Sequence, residues 1–470
     1  MKLGEEKEKL SELYENLFGN VPFIVAIKGG GGTRKYFRLD DGKKKVIGTI
    51  GEDIEENKVF FHLDKTLNNS GINVPEIYAV SKDEKAYLLQ DLGDLRLYDL
   101  LEGKDRIFLA KKALIELINI QNLPSNVWED KVGFPPFSER LIRWDLNYFK
   151  YDFLKPADIP FDEEKLEDDF ENIVKDLLVK NMILGFMYRD FQSRNIMVNE
   201  DKFWFIDFQS ARKGPIVYDA ASFIWQAKAP FTFEEREELG LWYCENLSKV
   251  KVKNTKEILS QLNPMIVFRT LQVLGAYGMR GIIERKAHFI ESIPFAIKNL
   301  VYLNETRRLD HYPEIKKITK KLAVSKWAII PEKDDNILTV SIFSFSYKNG
   351  YPEDKSGNGG GFMFDCRALP NPGRYMEYKS KTGLDTEVIE FIEKTSDATC
   401  FVNSALDLVI PSVKRYVERN FTSLQVGFGC TGGQHRSVYC AQLFARKLKK
   451  LFPEIKVKIN HREQKLKSEI

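Results

Sequence analysis

Between residues 21 and 90 the apolar positions fall in short alternating runs, set off by glycines and charged turns. That period of two predicts strands. FIVAIK leads into the glycine run Gly29 to Gly32, and YFRL, KKVIGTI and AYLLQ follow. Between them Val59, Phe60, Leu63 and Leu67 recur at helical spacing, which places a helix over Ile54 to Leu67. From about 95 to 305 the spacing is mostly that of helices. Ile107, Ala110, Leu114 and Leu117 share one face; so do Leu166, Phe170, Ile173 and Leu177. Residues 306–335 are basic and lack a clear apolar face throughout, so they read as a linker helix or connector. Near 336 the strand pattern returns with ILTVSIFSF, FMFDC and LQVGFGC, interleaved with helical stretches. The fold class expected is α+β in two lobes followed by a separate α/β domain. Its parts are a small β-rich lobe (1–92), a large helical lobe (93–305), a linker (306–335) and the α/β domain (336–470).

Composition narrows the class. The 470 residues suggest about three domains of roughly 150 each. Hydrophobic content of 43% and charged content of 30% are ordinary globular values, and a net charge of +3 gives no strong pull toward nucleic acid or membrane. The start, MKLGEEKEKL, has no apolar core of a signal peptide. No uncharged run approaches the roughly 18 residues of a membrane span. Cys244, Cys366, Cys400, Cys430 and Cys440 are odd in number and form no CxxC pair, which argues for reduced thiols and a cytoplasmic setting.

Residues 187–209, MYRDFQSRNIMVNEDKFWFIDFQ, carry the chemistry. Asp190 is followed five positions on by Asn195, and Asp207 ends the apolar run Phe203 to Ile206. Phosphoryl transfer from ATP needs that order: one carboxylate accepts the hydroxyl proton, while a carboxamide and a second carboxylate hold Mg²⁺ on the phosphates. The architecture is therefore expected to be protein-kinase-like. Only eleven residues separate Asp207 from Asp219, no APE sequence follows, and Gln192 stands where many protein kinases have lysine. A small hydroxyl compound is favoured over protein as acceptor. Gly29 to Gly32 would cradle phosphates through backbone N–H groups or form a flexible hairpin turn. Asp219 would cap the following helix, support the catalytic loop, or do both.

Four segments extend this reading: TRKYFR (33–38), QDLGD (90–94), YRDFQSRNIM (188–197) and IDFQSARKGPIVYDAAS (206–222). Through them residues 20–305 resemble the aminoglycoside phosphotransferase-like kinases, and most closely the anomeric sugar kinases acting on N-acetylmuramate and N-acetylglucosamine. The resemblance implies ATP and Mg²⁺ as cofactors and an amino sugar as acceptor. It implies Asp190 as catalytic base, Asn195 and Asp207 as metal ligands, and Asp219 as support of the catalytic loop. Nucleotide contacts would come from Gly30, Gly31, Thr33, Arg34, Gln90 and Leu92. Two departures stand out. Tyr188 replaces a frequent histidine, and KKVIGTI has Gly48 and Thr49 where a strand lysine is expected. Lys45, Lys28 or Arg34 would then meet the phosphate charge, with Glu55 or Glu56 as the helix carboxylate.

The last domain has its own signal, GFGCTGGQHRSVY at 427–439. An apolar strand, Leu424 to Phe428, runs into a glycine-containing loop, and a helix starts near Ser437. Helix N-termini favour anions through unpaired N–H groups and the dipole. Thr431 adds a hydroxyl, and His435 and Arg436 add donors, so a phosphate or carboxylate site is expected. Cys430-x5-Arg436-Ser437 is also the spacing of cysteine-dependent phosphatases, with Asp365 as the candidate acid, although a buried structural cysteine is the favoured state. SFSYKNGYP, FDCRALPNP, TGLD, this loop and the terminal NHRE make residues 337–463 resemble the C-terminal domain of RapZ. That resemblance implies a site for glucosamine-6-phosphate at Cys430, Thr431, Gly432, Gly433, His435 and Arg436, helped by the LPNP turn at 369–372. Gly373 stands where a histidine is frequent. Kinase-like lobes replace that family's usual P-loop domain. RNA binding, also implied, has only the basic tail Arg446 to Lys467 behind it, which Glu454 and Glu463 dilute. Two functions result: a small-molecule kinase with a sugar-phosphate sensor, or a regulatory nucleotide- and metabolite-binding adaptor.

Overall fold

The chain divides into two units, Met1–Ile330 and Pro331–Ile470. The structure, a computed structural model, describes residues 3–27, 34–251, 253–330, 337–354, 361–419 and 421–470. Lys28, Gly30, Gly31 and Thr33, expected at the nucleotide, lie outside the described residues.

The first unit begins with an antiparallel sheet in the order β1-β2-β3-β5-β4: β1 (Phe23–Ile27), β2 (Lys35–Asp40), β3 (Lys45–Ile50), β4 (Ile77–Val80) and β5 (Ala86–Gln90). Alternation along the strands gives it two working faces. Phe37, Leu39, Val46, Ala86 and Leu88 pack against Leu10 and Tyr14 of α1 (Leu3–Phe18), a helix whose charged sequence gave it no place in the apolar pattern. Gly48 lies on this face, where a Cβ would fall 2.7 Å from Leu39 and 2.9 Å from Leu10, so glycine is what lets α1 close on the strand. Tyr87 and Leu89 face the other way and join Phe60, Leu63 and Leu67 of α2 (Ile54–Asn69) in the main core.

The helical lobe matches the sequence pattern. Ala110, Leu114, Leu117, Leu166, Phe170, Ile173 and Leu177 are buried in one continuous core. Two short antiparallel pairs rise from it: β6 (Leu184–Met187) with β9 (Arg212–Pro215), and β7 (Ile196–Asn199) with β8 (Lys202–Phe205). Asn73 ties the lobes of this unit together, donating from Nδ2 to the Phe203 carbonyl at 3.0 Å and accepting the Phe205 amide at 2.9 Å.

The segment read as a linker helix or connector does hold a helix, but one that packs into the first unit. Pro313–Ala323 is a helix of the first unit, with Ile315, Ile318 and Leu322 fully buried against its core. The Ile315 amide donates to Asp169 at 2.7 Å and Glu314 accepts the Asp162 amide at 3.0 Å. The apolar stripe is one residue wide between lysines, too narrow to show in a charged segment.

The second unit holds a mixed sheet in the order β11-β12-β10-β13-β14. β10 (Thr339–Ser346), β11 (Gly361–Asp365), β12 (Ser423–Cys430) and β13 (Lys456–His461) run parallel; β14 (Leu466–Glu469) is antiparallel at the edge. The helices Ala398–Glu418 and Arg436–Leu451 share its core through Val402, Val409, Phe444 and Leu448.

Candidate active site and anion loop

β6 delivers the chain into the loop that carries Asp190. The buried Asp219 carboxylate, in the first turn of the helix Val217–Ile224, accepts the Tyr188 amide at 2.7 Å and the Arg189 amide at 2.9 Å. It therefore supports the loop directly. Arg189 is held at φ +80° and Asp207 at φ +68°, left-handed conformations that a non-glycine residue keeps only under such constraint. Arg189 is anchored by Asp145 at 3.1 Å. The phenol of Tyr188 is buried and donates to the Ile206 carbonyl at 2.7 Å. Tyrosine thus ties the catalytic loop to the backbone immediately before Asp207.

The three residues singled out for chemistry come together. Asn195 Nδ2 donates to the Asp190 carbonyl at 2.9 Å and lies 3.3 Å from Asp207 Oδ2, while Gln209 donates to Asp207 Oδ1 at 2.8 Å. Burial and the negative charge of Asp207 raise the pKa of Asp190 above the usual carboxylate range. Burial pushes Asp219 up to about 7. One carboxylate and one carboxamide are hard oxygen donors that suit Mg²⁺, which takes few protein ligands and completes its shell with phosphates and water. Among the described residues no cluster of three or more His, Cys, Asp or Glu side chains could hold a metal unaided.

The nucleotide residues spread further. Arg34 lies beside α2, its Nη2 3.4 Å from the Glu56 carbonyl and 3.7 Å from Glu56 Oε1, with the guanidinium 5.4 Å over the Phe60 ring. Of the two helix glutamates, Glu56 is the one that faces Arg34; Glu55 pairs with Lys58 on the surface. Lys45 is 64% exposed and pairs with Asp40, so it is a surface ion pair. Gln90 is tied to Glu76, its amide donating to the Glu76 carbonyl at 2.8 Å and its side chain accepting the Glu76 amide at 3.3 Å. The Leu92 carbonyl accepts Asn199 Nδ2 at 3.3 Å. Sequence reasoning missed why TRKYFR and QDLGD occur together: Arg38 pairs with Asp91 at 2.7 Å and Asp94 at 2.9 Å, pinning the interlobe link.

In the second unit Cys430 ends β12 and is 3% exposed. Its Sγ accepts the Gly433 amide at 3.2 Å and lies 3.2 Å from Ser437 Oγ. Thr431 and Gly432 are exposed at the tip, and Gly433 has φ +66°. His435 and Arg436 turn inward. His435 Nε2 lies 2.9 Å from the Tyr378 carbonyl, and Arg436 Nη1 donates to the Arg367 and Leu369 carbonyls, both at 2.9 Å. Asp365 is ion-paired with Arg367.

Residues 24–252 match the model of the phosphotransferase enzyme family, and residues 338–465 that of the RapZ C-terminal domain. The chain joins a phosphotransferase-family domain to a RapZ C-terminal domain. The first unit thus carries the match to the phosphotransferase enzyme family. Curated relatives include a nucleotide-binding protein of Fervidobacterium nodosum, 37% identical over 139 residues, which make up 29% of this chain and 46% of the relative. Another, from Thermotoga neapolitana, is 44% identical over 113 residues, 24% of this chain and 38% of the relative. The chain therefore spans less than half the length of either. Similar solved structures include a Plasmodium vivax ethanolamine kinase, with TM-score 0.45 and 14% identity, covering 64% of this chain and 94% of that one. The choline kinase LicA of Streptococcus pneumoniae has TM-score 0.45 and 13% identity, covering 63% and 99%.

Proposed function

We propose that the first unit transfers the γ-phosphoryl group of ATP to a hydroxyl of a small acceptor, an amino sugar, in the cytoplasm. The second unit binds a sugar phosphate such as glucosamine-6-phosphate and tunes the transfer. The observation behind this reading is the convergence of Asp190, Asn195 and Asp207 on a loop that Asp219 holds by two amides. Asp190 orients the acceptor hydroxyl and takes its proton, and its raised pKa brings its basicity closer to the demand. Asn195 and Asp207 would hold Mg²⁺, which supplies neutralisation of phosphate charge when bound. The remainder is positioning, for which a loop fixed at both ends is suited. The amino sugar and its phosphate rest on the resemblance of the two sets of motifs. No described helix is long and apolar enough to cross a membrane.

The test is ATP consumption with Mg²⁺ across a panel of amino sugars, with and without glucosamine-6-phosphate. Turnover on one sugar, abolished by Asp190→Asn with ATP binding kept, is the expected result. Retained turnover in that variant would remove Asp190 from the mechanism. Silence across the panel, with nucleotide still bound, would favour the regulatory adaptor and make RNA the next ligand to try.

A further inference from the structure

We infer that Arg34 is the cation that meets the nucleotide's β- and γ-phosphates, doing the work of the lysine that β3 lacks, and that Glu56 positions it. The inference rests on the phosphotransferase reading and concerns its nucleotide side.

The strand itself has no room for the charge. Gly48 is committed to the contact with α1, and any side chain there would collide with Leu10 and Leu39. Thr49 points the opposite way, toward the side where its register partners Tyr36 and Tyr87 lie. It is fully buried. The position a strand lysine would occupy is therefore filled by a short, neutral side chain.

Arg34 stands just before β2, directly after the glycine run and level with the end of β3, since its neighbour Lys35 pairs with Ile50. Its side chain is 7% exposed. Such burial demands strong partners, because an under-paired buried guanidinium is costly. Among the described residues its partners are a long contact with the Glu56 carboxylate, a marginal hydrogen bond to the Glu56 carbonyl, the Tyr36 phenol and the face of Phe60, and its Nε is enclosed with no partner among them. Donor capacity is left over, and a planar fork of N–H donors matches phosphate oxygens. Phe60 in turn stacks on Phe208 at 5.1 Å, the residue after Asp207, so the platform under Arg34 extends to the metal-binding segment. Asp207 and Arg34 also act with opposite sign on the partly buried phenol of Tyr36, which sets both charges near one side chain.

The other described cations of the sheet are occupied. Lys35 pairs with Glu6 at 2.6 Å, Arg38 with Asp91 and Asp94, and Lys45 with Asp40. An arginine held by a helix glutamate over an aromatic ring reproduces the charge geometry of a lysine–glutamate pair from a neighbouring strand.

The experiment compares ATP with AMP binding by calorimetry, with Mg²⁺ and no acceptor, in the wild-type chain and in R34Q, R34K and E56Q. R34Q should weaken ATP about 30- to 100-fold and AMP less than about threefold, with R34K intermediate, because charge-assisted bonds to phosphate are lost while the nucleoside contacts stay. E56Q should weaken ATP about five- to tenfold by loosening the guanidinium. Equal weakening of ATP and AMP by R34Q would mean a structural role and overturn the inference. So would unchanged ATP binding, or a wild type that binds ATP no better than AMP. A wild type that binds ATP but transfers no phosphoryl group would sink the phosphotransferase reading alone, leaving the ATP-over-AMP margin to judge Arg34.

Discussion

Asp219→Ala separates loop support from fold stability, because two large terms in it nearly cancel. The substitution orphans the Tyr188 and Arg189 amides, which the carboxylate accepts at 2.7 and 2.9 Å. Two buried unsatisfied N–H groups cost about 1–3 kcal/mol each, or about 2–6 together. Against this, burial pushes the carboxyl from 3.8 up to about 7. Ionising it in the fold therefore carries about 4 kcal/mol at pH 8 relative to the unfolded chain. Removing it at that pH leaves stability within about 2 kcal/mol of the wild type by these two terms. The pH dependence fixes the sign. A carboxyl raised in the fold ionises first in the unfolded chain, so wild-type stability falls as pH rises from about 4 to about 7. The variant lacks that slope, and the stability of wild type minus that of the variant should be larger at pH 5 than at pH 8, by roughly 2–3 kcal/mol. Urea unfolding followed by tryptophan fluorescence reads this cleanly, because all six tryptophans lie in the first unit. Turnover should fall about 100-fold through misplacement of Asp190, with ATP binding kept. A stability difference that is flat or smaller at pH 5, or turnover within threefold of wild type, would refute the reasoning.

Four further outcomes are expected. The acid limb of kcat/KM should lie above the ordinary aspartate value near 4, because burial and Asp207 resist ionisation of Asp190; a limb at or below about 4 would contradict its role as base. Asp64 is buried on α2, has no hydrogen bond among the described residues and is pushed up to about 7 by burial alone. Its ionisation destabilises the fold as pH rises from about 4 to about 7, so Asp64→Asn should raise the urea midpoint at pH 8 and change it little at pH 4. Ile318→Ala, on the helix Pro313–Ala323, should destabilise the first unit by about 2–5 kcal/mol in the same fluorescence assay, whereas a mere connector would give almost no change. Gly433→Ala would set a Cβ 2.4 Å from Glu463 and 2.8 Å from the Ser346 amide at φ +66°; calorimetric unfolding of the second unit should shift down by more than about 1 kcal/mol.

The parts of the fold legible in the sequence are those where period and burial agree. α2 and the helix Glu163–Leu177 carry their apolar residues at clean spacing, and each buries that face. α1, and the packing of Pro313–Ala323 into the core, escaped because a helix can be held by two or three apolar residues amid lysine and glutamate, a stripe that composition drowns. In the site, Asp190, Asn195 and Asp207 were readable because chemistry fixes their spacing along one short stretch of chain. The partners that hold them were harder to read. Arg38 meets Asp91 and Asp94 across more than fifty residues, and Tyr188 reaches the Ile206 carbonyl, a backbone acceptor that no residue type announces. Glu55 and Glu56 are indistinguishable by spacing, and only the side of α2 that faces Arg34 decides between them.

The loop after β12 shows how the same spacing can serve different ends. Cysteine-dependent phosphoryl chemistry needs an exposed thiolate with an arginine turned toward the phosphorus. Here Cys430 is enclosed, with Gly433 donating to its sulfur and Ser437 beside it, and Arg436 turns its Nη1 to two main-chain carbonyls of the 367–369 turn. Both side chains therefore brace the loop from within. Ser346 adds to the bracing, its hydroxyl donating to the Thr431 carbonyl at 2.7 Å from the end of the neighbouring strand. What the loop leaves outward is Thr431 and Gly432, where a Cβ on Gly432 would meet nothing within 4 Å. An anion approaching this tip would meet a hydroxyl, backbone amides and the start of the helix Arg436–Leu451, which is the chemistry of reversible binding. Side chains thus fix the loop from within and leave its tip, Thr431 and Gly432, exposed.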